Sequence, residues 1–340
     1  MTKNMFHTEK GQASVSADGK AYPAGGTALT PSARSAASVR QSQIEEMSSE
    51  WAQAGISNAF LFGKIMTTEP DLLLELLQHS LPEMNISSIH EIGREVDINL
   101  SIDSHGVRLD VLAKDNTGRS IDIEMQLKDE KDIPKRMRYY SGAIDQTILE
   151  KGIDYGMLSD TVVLFITLFD PFGKKLIRYS FRNLCLEDKD LELGDGTTKI
   201  ILNAVGTEGH ASEELKGFLK LVAGNVEIKK NSFAGRVQER VMIARKNPEW
   251  RRQYMDWKMT LLSEREKGRA EGRAEGTILE RIDMVERKIK RGLDLPEIAD
   301  AMEKDIETIR PIWDAIRETA PDYDREKIFQ IICKRNANKD

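Results

Sequence analysis

The sequence predicts an α/β fold, a mixed sheet flanked by helices, with a helical C-terminal region. Three observations carry the prediction. Between about Trp51 and Asn203, period-two and near-continuous apolar segments lie among helical patterns. Their order, helix, strand, hairpin, helix, strand, places helices on the faces of a mixed sheet. Past His210 the pattern turns helical. A chain of 340 residues, 40% hydrophobic and 31% charged, has room for one ordinary domain with appendages.

Residues 1–50 are rich in Ala, Ser, Gly and Thr and nearly free of large apolar residues. Such a stretch cannot bury enough surface to offset its ordering entropy, so a disordered tail is expected. The core is expected over 51–210. Phe60, Leu61, Phe62, Ile65 and Met66 mark a short helix, and Asp71 to Ser80 marks a second after Pro70. Ile89–Ile102 alternates through Val96, Ile98, Leu100 and Ile102 as a first strand. Lys131–Leu149 reads as a helix with Pro134 near its start. Thr161–Asp170 is almost wholly apolar and β-branched, as a central strand covered on both faces should be. Lys175–Arg182 and Lys199–Asn203 supply further strands.

The most informative stretch lies between the first strand and the helix. Val107–Ala113 and Ser120–Leu127 flank a polar turn and form a hairpin signature. In the second segment Ile121, Ile123, Met125 and Leu127 share one face, while Asp122, Glu124 and Gln126 share the other. In the first, Asp110 lies opposite the face of Leu109 and Val111. A three-residue loop Asn116-Thr117-Gly118, with Gly118 left-handed, pairs Asp115 with Arg119 and puts Asp110 directly across from Glu124. Their Cβ atoms would then be about 5 Å apart. A loop one residue longer or shorter would set them on opposite faces. Two carboxylates that close suit a hard divalent cation such as Mg²⁺. Taken alone, an acidic stripe on an amphipathic hairpin is more often a solvated face.

Asp, thirteen intervening residues and Glu-x-Gln resemble the PD-(D/E)xK nuclease signature, with Gln126 where a lysine is usual and Leu109 where a proline is usual. More broadly, Ser57 to about Leu202 resembles the Rpn-type recombination-promoting nucleases and transposases. The resemblance rests on SNAFLFGKIM, GVRLDVLAKD, IDIEMQ, KRMRYYSGAIDQTILEKGIDYGML, TVVLFITLFDPFG and KIILN, in that order. It implies a restriction-endonuclease-like fold and a metal-dependent DNA endonuclease associated with recombination or mobile elements. It also implies Asp110 and Glu124 as metal ligands with the Met125 carbonyl, Gln126 as the third active-site position, and Mg²⁺, or Mn²⁺ or Ca²⁺, as the cation. Ala59 departs from the family, which often carries Asp there. The alternative is a nuclease-fold binding or assembly protein that no longer hydrolyses.

Lys135, Arg136 and Arg138 follow the metal-binding strand and are candidates for phosphate; pairing with Asp129, Glu130 and Asp132 is the competing reading. Arg245, Lys246, Arg251 and Arg252, with Trp250 and Tyr254 interleaved, form either a nucleic-acid patch or a solvated helix junction, and the junction is favoured. A helical extension is expected over 211–266. The Gly268, Gly272 and Gly276 repeat at 267–277 reads as a hinge or a self-association face, the resemblance favouring the hinge. Residues 278–340 suggest a small three-helix module, with a stop at Gly292 and Asp305 as an N-cap. Glu307, Thr308, Arg310 and Trp313 are too acidic in company for a major-groove reader, which favours packing or homo-oligomerisation.

Other chemistries find no support. His7, His79, His90, His105 and His210 lack zinc spacing, and no phosphate-binding loop occurs. Cys185 and Cys333 alone suggest a reducing compartment, and no apolar run reaches the length of a membrane span, so the cytoplasm is the expected location. Net charge is −6, so any DNA-contacting face must be locally basic.

Overall fold

A computed structural model describes residues 31–98, 107–148, 154–225 and 228–337. Among them, six strands form one sheet in the order β1-β2-β3-β4-β6-β5. These are β1 (Ile89–Ile98), β2 (Val107–Asp115), β3 (Ser120–Gln126), β4 (Thr161–Thr167), β5 (Arg178–Phe181) and β6 (Thr197–Asn203). β1, β2 and β3 run antiparallel in sequence, β3, β4 and β6 are parallel, and β5 closes the far edge antiparallel to β6.

Of the segment expected to be disordered, residues 1–30 lie outside the described residues, and Pro31–Gln53 is helix α1. The Arg, Gln, Glu, Met and Ala of that stretch are good helix formers, and propensity outweighs its low apolar content. Among the described residues, those up to Ser49 and those from Glu50 onward form separate units, and the whole sheet belongs to the second. α2 (Ala59–Thr68) begins at Asn58, whose side chain accepts from the Leu61 amide at 3.2 Å. α3 (Pro70–Ser80) starts on a proline whose missing N–H would have been unpaired anyway.

One face of the sheet carries the larger core. Phe60, Leu61, Ile65, Leu73 and Leu77 pack there with Ile121, Ile123, Leu164, Ile166 and Leu202. α5 (Glu213–Val222) and α6 (Phe233–Lys246) complete it with Phe218 and Phe233. The opposite face is covered by α4 (Ile133–Ile148), whose Ile133 and Met137 pack on Val163, Phe165, Tyr179 and Ile201. All seven residues of β4 are buried, as its unbroken apolar run requires.

Several boundaries differ from expectation. β1 ends at Ile98 among the described residues, and Leu100 and Ile102 lie outside them. β3 stops at Gln126, leaving Leu127 exposed. β4 stops at Thr167 because Asp170 turns the chain, accepting from the amides of Phe172 and Lys175. Leu109 packs with Ile98, Ala143 and Ile144, whereas Val111 joins the larger core, so strict alternation fails around Asp110.

The expected hinge is helical. α7 (Pro248–Ile289) runs unbroken through Gly268, Gly272 and Gly276, and residues 263–277 are exposed. The Glu, Arg, Lys and Ala between the glycines hold the helix, helped by a Lys267–Glu271 pair at 3.9 Å. A Cβ on any of the three glycines would meet nothing within 4 Å. Past α7, Gly292 takes φ +84° and a capping box at Asp294 and Glu297 opens α8 (Leu295–Ala301). α9 (Ile306–Glu318) and a helix not anticipated, α10 (Arg325–Ala337), complete a core of Ile282, Val285, Ile298, Ile309, Ile316 and Ile328. Asp305 flanks α9 without making a side-chain cap bond. Among the described residues no helix is long and apolar enough to cross a membrane.

Candidate active site

The turn fixes the register as its residues require. Gly118 takes φ +83°, its amide donates to the Asp115 carbonyl at 3.0 Å, and the Asp115 amide donates to the Arg119 carbonyl at 3.1 Å. Val111 pairs with Ile123 and Lys114 with Ser120, so the next rung inward sets Asp110 against Glu124. There the ladder between β2 and β3 ends, while β2 continues along β1 to Val107 and β3 continues along β4 to Gln126. The hairpin forks at the acidic pair.

The carboxylates close the fork themselves. Glu124 Oε1 accepts from the Asp110 amide at 2.8 Å, and Asp110 Oδ2 accepts from the Met125 amide at 3.0 Å. Each acid thus satisfies a donor on the strand that faces it, where a ladder carbonyl has withdrawn. Met125 turns its side chain into the larger core and leaves only backbone at the site.

Burial dominates the electrostatics. It pushes Asp110 up to about 6; Glu95 adds to the rise, while the Met125 amide, Arg136 and Arg94 oppose it. Glu124 is held well above the usual carboxylate range by burial, then by the charges of Asp122 and Asp110. Asp122, at 0% exposure, is raised in the same way by burial and by Asp110. Neither oxygen of Asp122 accepts a hydrogen bond from a fixed donor. Three acids this close and this buried cannot all ionise without added positive charge.

One cation already stands beside them. Arg136, on the first turns of α4, donates to Gln126 Oε1 at 2.9 Å and to the Tyr140 hydroxyl at 3.0 Å, and its Nη2 lies 3.9 Å from Glu124 Oε2. It lies over the rings of Tyr140 and Phe165. Burial works against its charge, but Tyr140 and the carboxylates of Glu124 and Asp132 outweigh burial and hold it above its ordinary value. The Gln126 amide is used at both ends, since Nε2 donates to the Lys128 carbonyl at 2.8 Å. Arg136 bridges Glu124 without reaching over both acids.

The other cations expected here separate. Lys135 is exposed, and Arg138, also exposed, lines a cavity on the far flank of α4. Arg136 and Arg138 are two residues apart on a helix and point to nearly opposite sides. Arg245 is absorbed into the fold, its guanidinium donating to the carbonyls of Ala54 and Gln53 at 2.6 and 3.1 Å, as a helix junction requires. In α9, Arg310 pairs with Glu307 at 3.4 Å.

Two residues take roles that the sequence does not announce. Periodicity places Asp122 on the acidic face, but its full burial depends on α4, which packs over that face, and strand alternation cannot report this. Tyr140 sits at a packing position of α4, yet its hydroxyl also receives Arg136; only the four-residue spacing from Arg136 hints at the pair.

The donor set fits a hard divalent cation: carboxylate oxygens, buried, raised in pKa and facing one another across a fork. Among the described residues no three His, Cys, Asp or Glu side chains form a ready-made metal cage, so the fit is to an ion that keeps water and phosphate in its shell.

Sheet, fork and buried acids together define a nuclease-fold protein of the restriction-endonuclease-like α/β class. Residues 57–197 match the family model described as PD-(D/E)XK nuclease family transposase, a name that links this part of the chain to mobile elements. The match leaves α1 and every helix after β6 outside. No curated protein and no solved structure matches the chain.

Proposed function

We propose that the protein is a metal-dependent endodeoxyribonuclease that hydrolyses phosphodiester bonds at the fork between β2 and β3. The observation that carries this reading is the Asp110–Glu124 pair, Glu124 buried, Asp110 partly so and both raised, with the Arg136 guanidinium held beside it by Gln126. Asp110 and Glu124, with the Met125 carbonyl, would hold Mg²⁺, or Mn²⁺ or Ca²⁺. A cation bound there supplies Lewis acidity at the scissile phosphate and lowers the pKa of an attacking water. Arg136 contributes the positive charge that a lysine at position 126 would otherwise give, aimed from α4 instead of from β3. Gln126, with both ends of its amide taken, positions that guanidinium. Lys135, exposed on the same helix, meets the phosphates of the strand.

Supercoiled plasmid incubated with Mg²⁺ tests the proposal beside Asp110→Asn and Glu124→Gln. These variants keep an oxygen for the amides of Met125 and Asp110, so the fork stays closed while the anionic ligands go. Nicking should fall about 100-fold or more in each. An unchanged rate in both would rule the hydrolase reading out. A second reading, a nuclease-fold binding or assembly protein, is favoured by the absence of a lysine at Gln126. DNA binding without nicking by the wild-type protein in Mg²⁺, Mn²⁺ or Ca²⁺ would select it.

A further inference from the structure

On the far flank of α4 a cavity of about 410 Å³ opens between the helix and the β5 edge of the sheet. Its walls are Pro134 and Met137 of α4, Ile201 of β6, and the rings of Phe172 and Phe181. The two rings meet edge to face with centroids 5.3 Å apart. They remain 37% and 42% exposed, which is unusual for large aromatic rings in a folded domain that has core space elsewhere. Arg138, Arg182 and Lys199 line the same cavity. Arg182 is engaged by Glu192 at 2.9 Å, while Arg138 and Lys199 make no ion pair among the described residues.

Sheet register relates this cavity to the acidic fork. Glu124 stands beside Phe165, Phe165 beside Ile201, and Ile201 beside Tyr179, so the four occupy one row across the sheet. Glu124 and Ile201 are therefore two strand spacings apart on the face that α4 covers, about 10 Å. That distance is short enough for a base close along the strand to a phosphate at the fork to reach the cavity. Arg136 faces the acids from one flank of α4, and Arg138 faces the cavity from the other.

We propose that this cavity takes an unpaired nucleobase close along the strand to the phosphate held at the fork, and that the substrate is single-stranded or locally unpaired DNA. The proposal rests on the hydrolase reading for the phosphate and on the cavity's own chemistry for the base. Exposed aromatic rings inside a concave, cation-lined wall suit base stacking, which any base can supply because every base has a π-face. Arg138 and Lys199 complement the phosphates on either side of that base. A paired base inside a duplex cannot enter such a recess without leaving its stack.

The test uses the full chain without added metal, so that binding is read apart from cleavage. The probes are a single-stranded oligonucleotide carrying 2-aminopurine and the same sequence as a duplex. Wild-type protein should quench the single-strand probe and prefer it to duplex. Phe181→Leu should weaken single-strand binding roughly 5- to 150-fold, the range for loss of one stacked base, with duplex binding unchanged within about twofold. Phe181→Tyr should restore it; a purely structural role would be kept by leucine as well. Phe172→Ala should behave as Phe181→Leu. Equal losses for single strand and duplex, no loss for either, or a change of sedimentation with Phe181→Leu that marks the rings as a contact between copies would each overturn the proposal. Loss of quenching in Phe181→Leu alongside a wild-type protein that never nicks plasmid would keep the base pocket and sink only the hydrolase reading.

Discussion

At the scale of single residues, the fork works through an imbalance of charge. Asp122 and Glu124, both buried, crowd with the partly buried Asp110 beside Arg136, so folding the metal-free protein costs either buried negative charge or the protonation of carboxyls. Glu124→Gln should therefore raise the thermal midpoint of metal-free protein, by an amount equivalent to about 0.5–2 kcal/mol. Mg²⁺ should raise the thermal midpoint of the wild type, and the same substitution should remove that rise, read by differential scanning calorimetry with and without the ion. A midpoint that falls in Glu124→Gln would show that the carboxylate is already fully compensated. Arg136→Ala should cost about 10²–10³ in nicking rate, the scale of losing one donor to developing charge, with circular dichroism unchanged. Arg136→Lys should recover part of that rate, because a point charge remains although the two-pronged hold on Gln126 and Tyr140 is lost.

Which of these features are legible in the chain depends on which forces are local. The pairing of Asp110 with Glu124 can be read because three turn residues, with one glycine able to take positive φ, fix the register of the whole hairpin. Asp122 cannot be read as buried, because strand alternation marks a face and not what covers it. The partnership of Arg136 with Gln126 is equally hidden, since it depends on the angle at which α4 crosses the strand it follows.

At the scale of elements, α7 tests the meaning of its glycines. Helical over its whole length and open to solvent around Gly268, Gly272 and Gly276, it gives a methyl group nothing to strike. Replacing the three glycines by alanine should stabilise the helix by about 1 kcal/mol at each site, seen as a later loss of ellipticity on heating. Sedimentation should not change, whereas a tight contact between copies at that face would be broken by the added methyls. The repeat is helical because glycine's helix penalty is modest, and the Ala, Glu and Arg around each glycine outweigh it.

At the scale of the molecule, residues far apart in the chain are joined at a mixed aromatic and ionic contact. Trp51, Phe60, Tyr254 and Trp257 cluster with ring centroids 5.2–6.2 Å apart, and Tyr254 and Lys258 each reach Glu50 at 2.9 Å. Burial alone would raise Glu50, yet Lys258 and Tyr254 outweigh it and hold the carboxyl below its ordinary value of 4.5. The unfolded chain then binds that proton more tightly than the folded one. This contribution is complete above about 4.5 and is lost as the pH falls through the lower folded value. Wild type should exceed Glu50→Gln in thermal midpoint at neutral pH, by well under 1 kcal/mol for a pair this exposed, and the gap should close in acid. A gap that widens in acid would reverse the assignment.

The fork gives Asp110 and Glu124 a second occupation, as fasteners for backbone amides that would otherwise go without acceptors. A protein built on this fork that did no hydrolysis would still need both acids to keep its sheet zipped. Arg136 and Gln126 are under no such obligation, so drift at those two positions, with the acids intact, is the trace that lost activity would leave.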